Sequence, residues 1–342
     1  MSKALKVHIA TAQTPFRRNP TDALAADLRD ALRRAGHRAE TVQIPYGAHS
    51  SKRALDHLLA LRLLALDESP DDVLIALEYP TYLIRHPRKV LWLARGASQP
   101  DGLPGAGERT MDAPSAAVRQ EVEGRACREA RAVYSISAAL AHRWRKLTGL
   151  EALPLYPPPW PSGCADSGTP DDYVLAPLGG DGSARVELLL KALARARRPV
   201  VVRFLGDPGD AELRRTLARQ AETLGLGGRW QWSDRGPEEA ATYARCRAVL
   251  AAPYEETNPE TALLAMQAGK ALIVGRDSGA LAELVVHRRT GWVVAAKPKA
   301  LARAMDKAWS REDKSRVLGQ AARASYLAMN LDWEKVLELL LA

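Results

Sequence analysis

The residues with the clearest chemical potential lie in the stretch PYEETNPETALLAMQAGKALIVGRDSGALAELV, from Pro253 to Val285. An acidic loop precedes an Ala/Leu/Met-rich helix, and Gly269, a short apolar strand and Ser278-Gly279 follow it. The first turn of a helix leaves backbone N–H groups free to bind the phosphates of a nucleotide. This order of elements therefore predicts a nucleotide-binding strand–loop–helix unit.

Short apolar runs alternate with amphipathic segments along nearly the whole chain and form the framework for this unit. In the first half, strands are predicted at 6–11, 39–44, 72–77, 89–94 and 132–137, and helices at 22–36, 52–66, about 115–130 and 138–149. A break rich in Pro, Gly, Ser and Asp follows at 156–172, and the alternation then restarts with the strand YVLAPL. Strands that alternate with helices of this length predict parallel sheets with helices on both faces.

The predicted architecture is an α/β protein of two Rossmann-like domains that face a cleft. The domains are expected at residues 1–155 and 173–325, and residues 156–172 are expected to form the linker between them. Residues 326–342 are expected to form a separate C-terminal helix, with the amphipathic pattern strongest at 332–342. In doubly wound domains, ligands bind outside the carboxyl ends of the strands, so the cleft is the expected site.

Composition excludes several classes of protein. The chain has 342 residues, of which 46% are hydrophobic and 26% are charged. It contains no apolar run long enough for a membrane span and no signal-peptide pattern at its N-terminus. Three scattered cysteines without CxxC spacing predict neither a disulfide framework nor a metal site. Cytoplasmic localisation without a metal is therefore expected.

The net charge of +9 and the pI near 9.6 raise the question of an anionic partner. The basic clusters at 85–89, 142–146 and 195–198 are short and lack interleaved aromatic residues, so nucleic acid is not the expected partner. Three alternatives stay open: arginines spread over solvated helix faces, a peripheral contact with an anionic membrane, or the binding of phosphorylated ligands.

Several segments together resemble the retaining glycosyltransferases of the large family four. FLGDPGDAELRRTLARQAETLGL, EEAATYARCRAVLAAPYEE and ALLAMQAGKALIVGRDSGALAELV are similar to its C-terminal domain, and YPTYLIRHPRKVLWL and AVYSISAALAHRWRKLTGLEALPLYPPP look like segments of its bacterial members. The resemblance implies the GT-B fold, a nucleotide-diphosphate sugar as co-substrate and no further cofactor. It also implies an acceptor-side N-terminal domain, a donor-side C-terminal domain and a final helix that returns to the N-terminal domain.

The sequence departs from the family at the donor-site motifs. The first glutamate of the family's Glu-x7-Glu element corresponds to Glu256. The position of the second is Leu264, whose side chain cannot accept a hydrogen bond from a ribose hydroxyl. The position of its glycine N–H donor is Pro259, which has no N–H. The family's phosphate-binding Arg and Lys fall on Gly179 and Ala184. The Gly-Gly loop after the first strand and a His after the fourth strand are also absent.

The resemblance and the loop positions give a set of candidate site residues. Glu256 is the candidate catalytic residue. Arg185 is expected either to turn inward and replace the missing lysine or to face solvent in a first helical turn. Asp277 to Gly279 form either a phosphate-facing turn or a helix start with Ser278 as N-cap. The candidate donor-binding residues are Gly179, Gly180, Arg185, Gly206, Ser233, Asp234, Thr257, Asn258, Glu260 and Thr261. The candidate acceptor-side residues are Thr14, Pro15, Arg17, Arg18 and Arg95.

Two functions compete on this evidence. The first is an active glycosyltransferase with a non-standard donor phosphate site and a glycan, a lipid-linked molecule or a small molecule as acceptor. The second is a catalytically inactive paralogue that binds a glycan or pairs with an active glycosyltransferase. The retained Glu256 and the intact helix around it favour the first function, whereas the lost carboxylate and cations favour the second.

Overall fold

The computed structural model describes residues 4–13, 19, 21–45, 59–64, 69, 72–95, 121–122, 124–159, 171–178, 185–206, 211–236, 238–256 and 258–342. The chain divides into two compact units. The first unit contains Met1–Pro158 and Asp332–Ala342, and the second contains Pro159–Leu331. The linker and domain limits drawn from the sequence stay predictions, since most of 156–172 lies outside the described residues.

The first unit is built on a parallel sheet of six strands. Its elements are β1 (Lys6–Gln13), α1 (Thr21–Arg34), β2 (Arg38–Pro45), β3 (Val73–Ala76), a 3-10 turn (Thr81–Leu83), β4 (Lys89–Leu93), β5 (Ala132–Ser135), α2 (Ala138–Thr148) and β6 (Leu153–Pro154). The strand order is β2-β1-β3-β4-β5-β6, and Val7 pairs with Val73 where β1 meets β3. The predicted helices 52–66 and 115–130 lie partly outside the described residues, which are helical at 59–63, 121–122 and 124–128.

Helix ends in this unit follow from local sequence. Ser137 caps α2 because its hydroxyl accepts a hydrogen bond from the Leu140 N–H at 3.2 Å. Gly149 ends the same helix in the left-handed conformation, with φ of 72°, which glycine adopts without the steric cost of a Cβ. The helix then returns the chain to β6 at the edge of the sheet.

Buried strand residues and helix faces form one apolar core in the first unit, and it includes Trp92 and Trp144. A buried ionic group lies beside this core. The Lys89 ammonium donates to the carbonyls of Tyr82 and Ile84 at 3.0 and 3.1 Å and lies 3.7 Å from Glu129, which also pairs with Arg62. Burial lowers the pKa of Lys89 to about 8, although the Glu129 charge opposes the shift.

The second unit repeats the α/β plan. Its elements are β7 (Val174–Pro177), α3 (Val186–Leu193), β8 (Val202–Leu205), α4 (Ala211–Thr223), β9 (Trp230–Ser233), α5 (Glu239–Arg245), β10 (Ala248–Ala251), α6 (Glu260–Gln267), β11 (Leu272–Gly275), α7 (Ala280–Glu283), β12 (Gly291–Val294), α8 (Pro298–Ser310) and α9 (Glu312–Met329). The strand order is β12-β11-β10-β7-β8-β9, and every pair is parallel. The predicted α/β class with two Rossmann-like units is confirmed.

The last helix, α10 (Trp333–Leu341), belongs to the first unit. Asn330 ends α9 in the left-handed conformation, and Asp332 caps α10 by accepting a hydrogen bond from the Glu334 N–H at 3.1 Å. Val336, Leu337 and Leu340 join the core of the first unit. The helix therefore begins at Trp333, whereas residues up to Met329 continue α9.

Candidate active site

The second sheet has its topological switch point between β7 and β10. From β7 the chain proceeds to β8 and β9 on one side, and then crosses to β10, β11 and β12 on the other. Open α/β sheets bind ligands at the carboxyl edge beside such a switch point. The Pro253–Val285 stretch contributes two of the loops at this edge.

Arg185 turns toward this edge of the sheet. Its Nη2 donates to the Pro253 carbonyl at 2.8 Å and lies 2.9 Å from the Asp277 carboxylate, and its guanidinium lies 5.3 Å from the centre of the Tyr254 ring. The backbone of Arg185 is in the left-handed region, with φ of 45°, just before α3 begins. A non-glycine residue in this region costs energy, so this backbone position is held by its surroundings. Of the two orientations considered from the sequence, the side chain adopts the inward one.

Glu256 lies in the loop between β10 and α6 and is half-buried. Its Oε1 accepts a hydrogen bond from the Asn258 N–H at 2.9 Å, while Asn258 Oδ1 accepts one from the Glu260 N–H at 3.0 Å. These two side chains satisfy N–H groups at the start of α6 in succession. The Glu256 carboxylate is therefore held at the helix start by the loop's own backbone.

The turn after β11 packs on the Glu256 loop through its backbone. The Glu255 N–H donates to the Asp277 carbonyl at 2.9 Å, and the Ala280 N–H donates to the Glu256 carbonyl at 2.8 Å. Gly279 has φ of 55°, and a Cβ there would lie 2.2 Å from the Glu256 carbonyl oxygen, so only glycine allows this approach. The alternative of Ser278 as a helix N-cap is wrong, because α7 begins after Gly279 and makes no side-chain cap.

Ser278 instead joins the two loops. It is fully buried, and its hydroxyl donates to the Pro253 carbonyl at 3.0 Å. That carbonyl also accepts from Arg185. A single backbone carbonyl with two donors thus connects the loop after β10, the turn after β11 and the start of α3.

Leu264 lies in the apolar core of the second unit, with 1% of its surface exposed. Pro259 immediately precedes α6 and is also buried. The position at which the family carries its second carboxylate is thus a packing position in this chain. Glu260 stands four residues before Leu264, on the same side of α6, because residues four apart in a helix share a face.

A second charged group lies at the ends of β8 and β9. Gly206 and Ser233 occupy these ends. Arg235 follows two residues after Ser233. Its guanidinium donates to the Leu178 carbonyl at 3.3 Å and to the Glu239 carboxylate at 2.7 Å. Burial raises the pKa of Glu239, against the effect of Arg235. The sequence predictions included Ser233 and its neighbour Asp234 but missed Arg235. The available signal was a cation two residues after a strand.

Thr261 and Glu260 extend this group from the first turn of α6. Both lie close enough to the buried Tyr243 to influence its phenol, and burial raises the pKa of Tyr243 well above its ordinary value. The Glu260 charge also acts on Glu239 and Arg235. Two carboxylates and one guanidinium therefore lie together at the carboxyl edge of this sheet.

The first unit contains a charged group of its own at the switch point between β1 and β3. Glu78 follows β3 and is 3% exposed. Its Oε1 accepts hydrogen bonds from the Ala12 N–H at 3.0 Å and from the Asn19 side-chain amide, and its Oε2 accepts one from Thr21 at 3.0 Å. Burial raises the pKa of Glu78, and the hydrogen bonds and the nearby charge of Arg95 oppose the shift. The sequence predictions included Arg95 but missed Glu78, although a carboxylate directly after a buried strand was a usable signal.

The other predicted site residues cannot be placed. Gly179, Gly180, Thr257, Thr14, Pro15, Arg17 and Arg18 lie outside the described residues. Within the described part of the chain, no group of three or more His, Cys, Asp or Glu side chains is arranged to hold a metal ion. No helix in that part is both long and apolar enough to cross a membrane.

Comparison with known proteins confirms the resemblance that the sequence suggested. Residues 181–325, which lie within the second unit, match the model of the family Glycosyl transferases group 1. No curated protein matches the chain in sequence. The general activity that the family match supports is glycosyl transfer.

Solved structures resemble nearly the whole chain. Sucrose-phosphate synthase from Thermosynechococcus elongatus matches with a TM-score of 0.75 and 15% identity over 98% of this chain and 97% of its own. A glycosyltransferase from Rickettsia africae matches with a TM-score of 0.70 and 13% identity over 99% and 98%. Anabaena HepE, solved in complex with UDP and glucose, matches with a TM-score of 0.68 and 16% identity over 98% of both chains. These likenesses confirm the GT-B fold.

Proposed function

We propose that this protein is a retaining hexosyltransferase that moves a sugar from a nucleotide-diphosphate sugar to a glycan, a lipid-linked molecule or a small-molecule acceptor. In this reaction the bond between the anomeric carbon and the diphosphate oxygen breaks. A bond from the acceptor oxygen to that carbon forms on the same face, and the acceptor proton passes to the leaving diphosphate. The site must therefore stabilise negative charge on the diphosphate, without a protein nucleophile.

The observation that carries the proposal is the inward orientation of Arg185 at the switch point of the donor-side sheet. The family's phosphate cations fall on Gly179 and Ala184 in this sequence, so a standard site would lack its positive charge. Arg185 supplies a guanidinium at the same edge, 2.8 Å from the Pro253 carbonyl of the loop that leads to Glu256. A planar guanidinium can donate two parallel hydrogen bonds to a phosphate. Arg185 thus compensates for the missing cations.

Glu256 has the role of holding the transferred sugar. Its Oε1 already accepts the Asn258 N–H, and a carboxylate has further acceptor sites for sugar hydroxyl groups. The first turn of α6 presents its N–H groups from the same loop, although Pro259 contributes none. Arg95 and the Glu78 group give the acceptor side of the first unit a cation whose charge acts on a buried carboxylate.

The proposal is tested with two arginine variants of the second unit. Arg185→Ala is expected to weaken binding of the donor nucleotide by about ten- to a hundredfold, which corresponds to the loss of one charge-assisted hydrogen-bonding group. Arg247→Ala is the matched control, because Arg247 forms an ion pair with Asp172 just before β7, at the amino edge of the same sheet. Titration calorimetry measures the affinity of both variants for UDP, ADP and GDP. Turnover assays with the corresponding nucleotide sugars then compare their activity. Equal binding by the two variants would contradict the role of Arg185.

A second candidate function is an inactive paralogue that binds a glycan or a partner glycosyltransferase. It is favoured by Leu264, which lies in the core, and by Pro259, which is also buried, since these two residues cannot supply the carboxylate and the N–H that the family has at their positions. Absence of binding to any nucleoside diphosphate, together with specific capture of a glycan or a partner transferase, would establish this alternative. Cytoplasmic localisation and a peripheral contact with anionic membrane, which the net charge of +9 favours, are compatible with both functions.

A further inference from the structure

The Arg185 guanidinium has an anionic partner within the second unit. Asp277 Oδ2 lies 2.9 Å from Arg185 Nη2, and the same nitrogen donates to the Pro253 carbonyl at 2.8 Å. We infer that Asp277 competes with the donor diphosphate for Arg185, so that this carboxylate sets the affinity of the site for diphosphates. The inference rests on the proposed function, because it assigns the diphosphate to Arg185.

Arg185 has binding capacity that Asp277 does not use. Its Nε is buried and has no hydrogen-bond partner among the described residues. The side chain as a whole is 25% exposed, so a soluble anion can reach the guanidinium. The guanidinium carries N–H donors on its other nitrogens as well, which suit an anion with several acceptor oxygens. The arrangement is therefore suited to a larger anion than one carboxylate.

Asp277 can give up its partner at little cost. Its side chain is 41% exposed, so the carboxylate returns to water when the ion pair breaks. Partly exposed ion pairs contribute little stability for this reason. A pyrophosphate group carries more charge and more acceptor oxygens than the carboxylate, so it is the stronger partner for the guanidinium. Replacement of Asp277 by pyrophosphate as the partner of Arg185 is thus favourable. The negative charge that remains at Asp277 nevertheless weakens diphosphate binding.

The loop backbone does not have to move in this exchange. The Asp277 carbonyl accepts from the Glu255 N–H at 2.9 Å, and the Ser278 hydroxyl donates to the Pro253 carbonyl at 3.0 Å. Gly279 lies against the Glu256 backbone and fixes the same turn. Only the Asp277 side chain needs to rotate, which leaves the Glu256 loop in place. Removal of the charge should therefore change anion affinity without loss of the fold.

The test replaces Asp277 with its neutral isostere. Asp277→Asn keeps a hydrogen-bond acceptor for Arg185 and removes one negative charge from the site. It is expected to bind pyrophosphate about three- to tenfold more tightly than the wild-type chain at low ionic strength, with a smaller gain at high salt. Asp277→Ala is a second variant that should change affinity in the same direction. A gain of affinity cannot arise from misfolding, and thermal unfolding checks that both variants are folded.

Asp172→Asn is the matched control. Asp172 also forms an ion pair with an arginine of the second unit, but it lies just before β7, at the opposite edge of the sheet. It should leave pyrophosphate affinity within about twofold of wild type, as expected for a charge beyond the screening distance. Equal affinities for Asp277→Asn and Asp172→Asn, or no pyrophosphate binding by any variant, would overturn the inference.

Titration of the same proteins with UDP, ADP and GDP separates this inference from the proposed function. If Asp277→Asn binds pyrophosphate more tightly but no variant binds a nucleoside diphosphate, the competition stands and the donor assignment fails. If wild type and Asp277→Asn bind nucleotides with equal affinity, and also bind pyrophosphate with equal affinity, the donor assignment stands. The competition between Asp277 and the diphosphate is then refuted.

Discussion

The buried carboxylate of Glu78 offers the most demanding test of the first unit. Glu78→Ala would remove the acceptor of three donors: the Ala12 N–H, the Asn19 amide and the Thr21 hydroxyl. Asn19 is only partly buried and can bond water, so the cost arises mainly at Ala12 and Thr21, which are 7% and 2% exposed. A buried donor without a partner costs about 1–3 kcal/mol, so the two donors predict a loss of about 2–6 kcal/mol.

Glu78→Gln separates the charge from the hydrogen bonds. The Gln oxygen can accept from the Ala12 N–H, and the Thr21 hydroxyl can rotate to accept from the new amide group, so the loss should be within about 1 kcal/mol. Because burial raises the folded pKa of Glu78 above its ordinary value of 4.5, the folded state binds more protons between the two values. The stability that Glu78 contributes is therefore greatest below pH 4.5 and is lost as the pH rises through the folded pKa.

The assay is urea unfolding of the full chain, followed by hydrogen exchange in β1 because two units need not unfold in one step. The difference in stability between wild type and Glu78→Gln should fall as the pH rises from 4.5. Glu151→Ala is the surface control, since Glu151 pairs with Arg145 at 3.1 Å and is 68% exposed. A Glu78→Ala loss as small as that control, or a pH-independent difference for Glu78→Gln, would refute the reasoning.

Two further predictions concern the second unit's carboxylate and the first unit's buried lysine. Glu256→Gln should reduce sugar transfer by about a hundredfold or more with little change in melting temperature, whereas Glu255→Gln, which alters the exposed neighbour, should retain activity. Coupled nucleotide-release assays and thermal melts compare the two variants. Equal turnover by both would refute the role of Glu256. Lys89 has its folded pKa lowered to about 8, so its contribution to stability is present above its ordinary pKa of 10.5 and is lost as the pH falls to 8. Wild type should therefore gain roughly 3 kcal/mol relative to Lys89→Met between pH 8 and 10.5, and a constant difference in urea unfolding would show that Lys89 does not titrate as described.

The sequence predicted the fold well because the fold depends on periodic patterns. Buried parallel strands such as 72–77 and 89–94 read as continuous apolar runs, and the intervening helices have apolar residues at helical spacing. The structure places β3 and β4 within these two ranges. Strand β6 was missed, since two residues are too few for a periodic signal.

The site was harder to predict because side-chain direction depends on contacts across the sheet. The sequence left two orientations open for Arg185, and the choice depends on the Pro253 carbonyl and Asp277, which are distant along the chain. Glu78 and Arg235 gave only single charges after strands, and their significance came from neighbours that the topology supplies. The assignment of Glu256 as catalytic stays a prediction, although its position in the loop before α6 follows from the register of Ala265-Met266.

The return of α10 to the first unit has a consequence for the order of folding during synthesis. Val336, Leu337 and Leu340 are 2%, 5% and 0% exposed in a core that the strands and the other helices of the first unit otherwise form. Burial of three such side chains contributes on the order of 5 kcal/mol, which is a large share of the stability of one domain. The first unit leaves the ribosome early but lacks this part of its core until residues 159–331 have been translated. The second unit, whose segment is continuous, can therefore complete its fold first, in reverse of the usual N-terminal-first order.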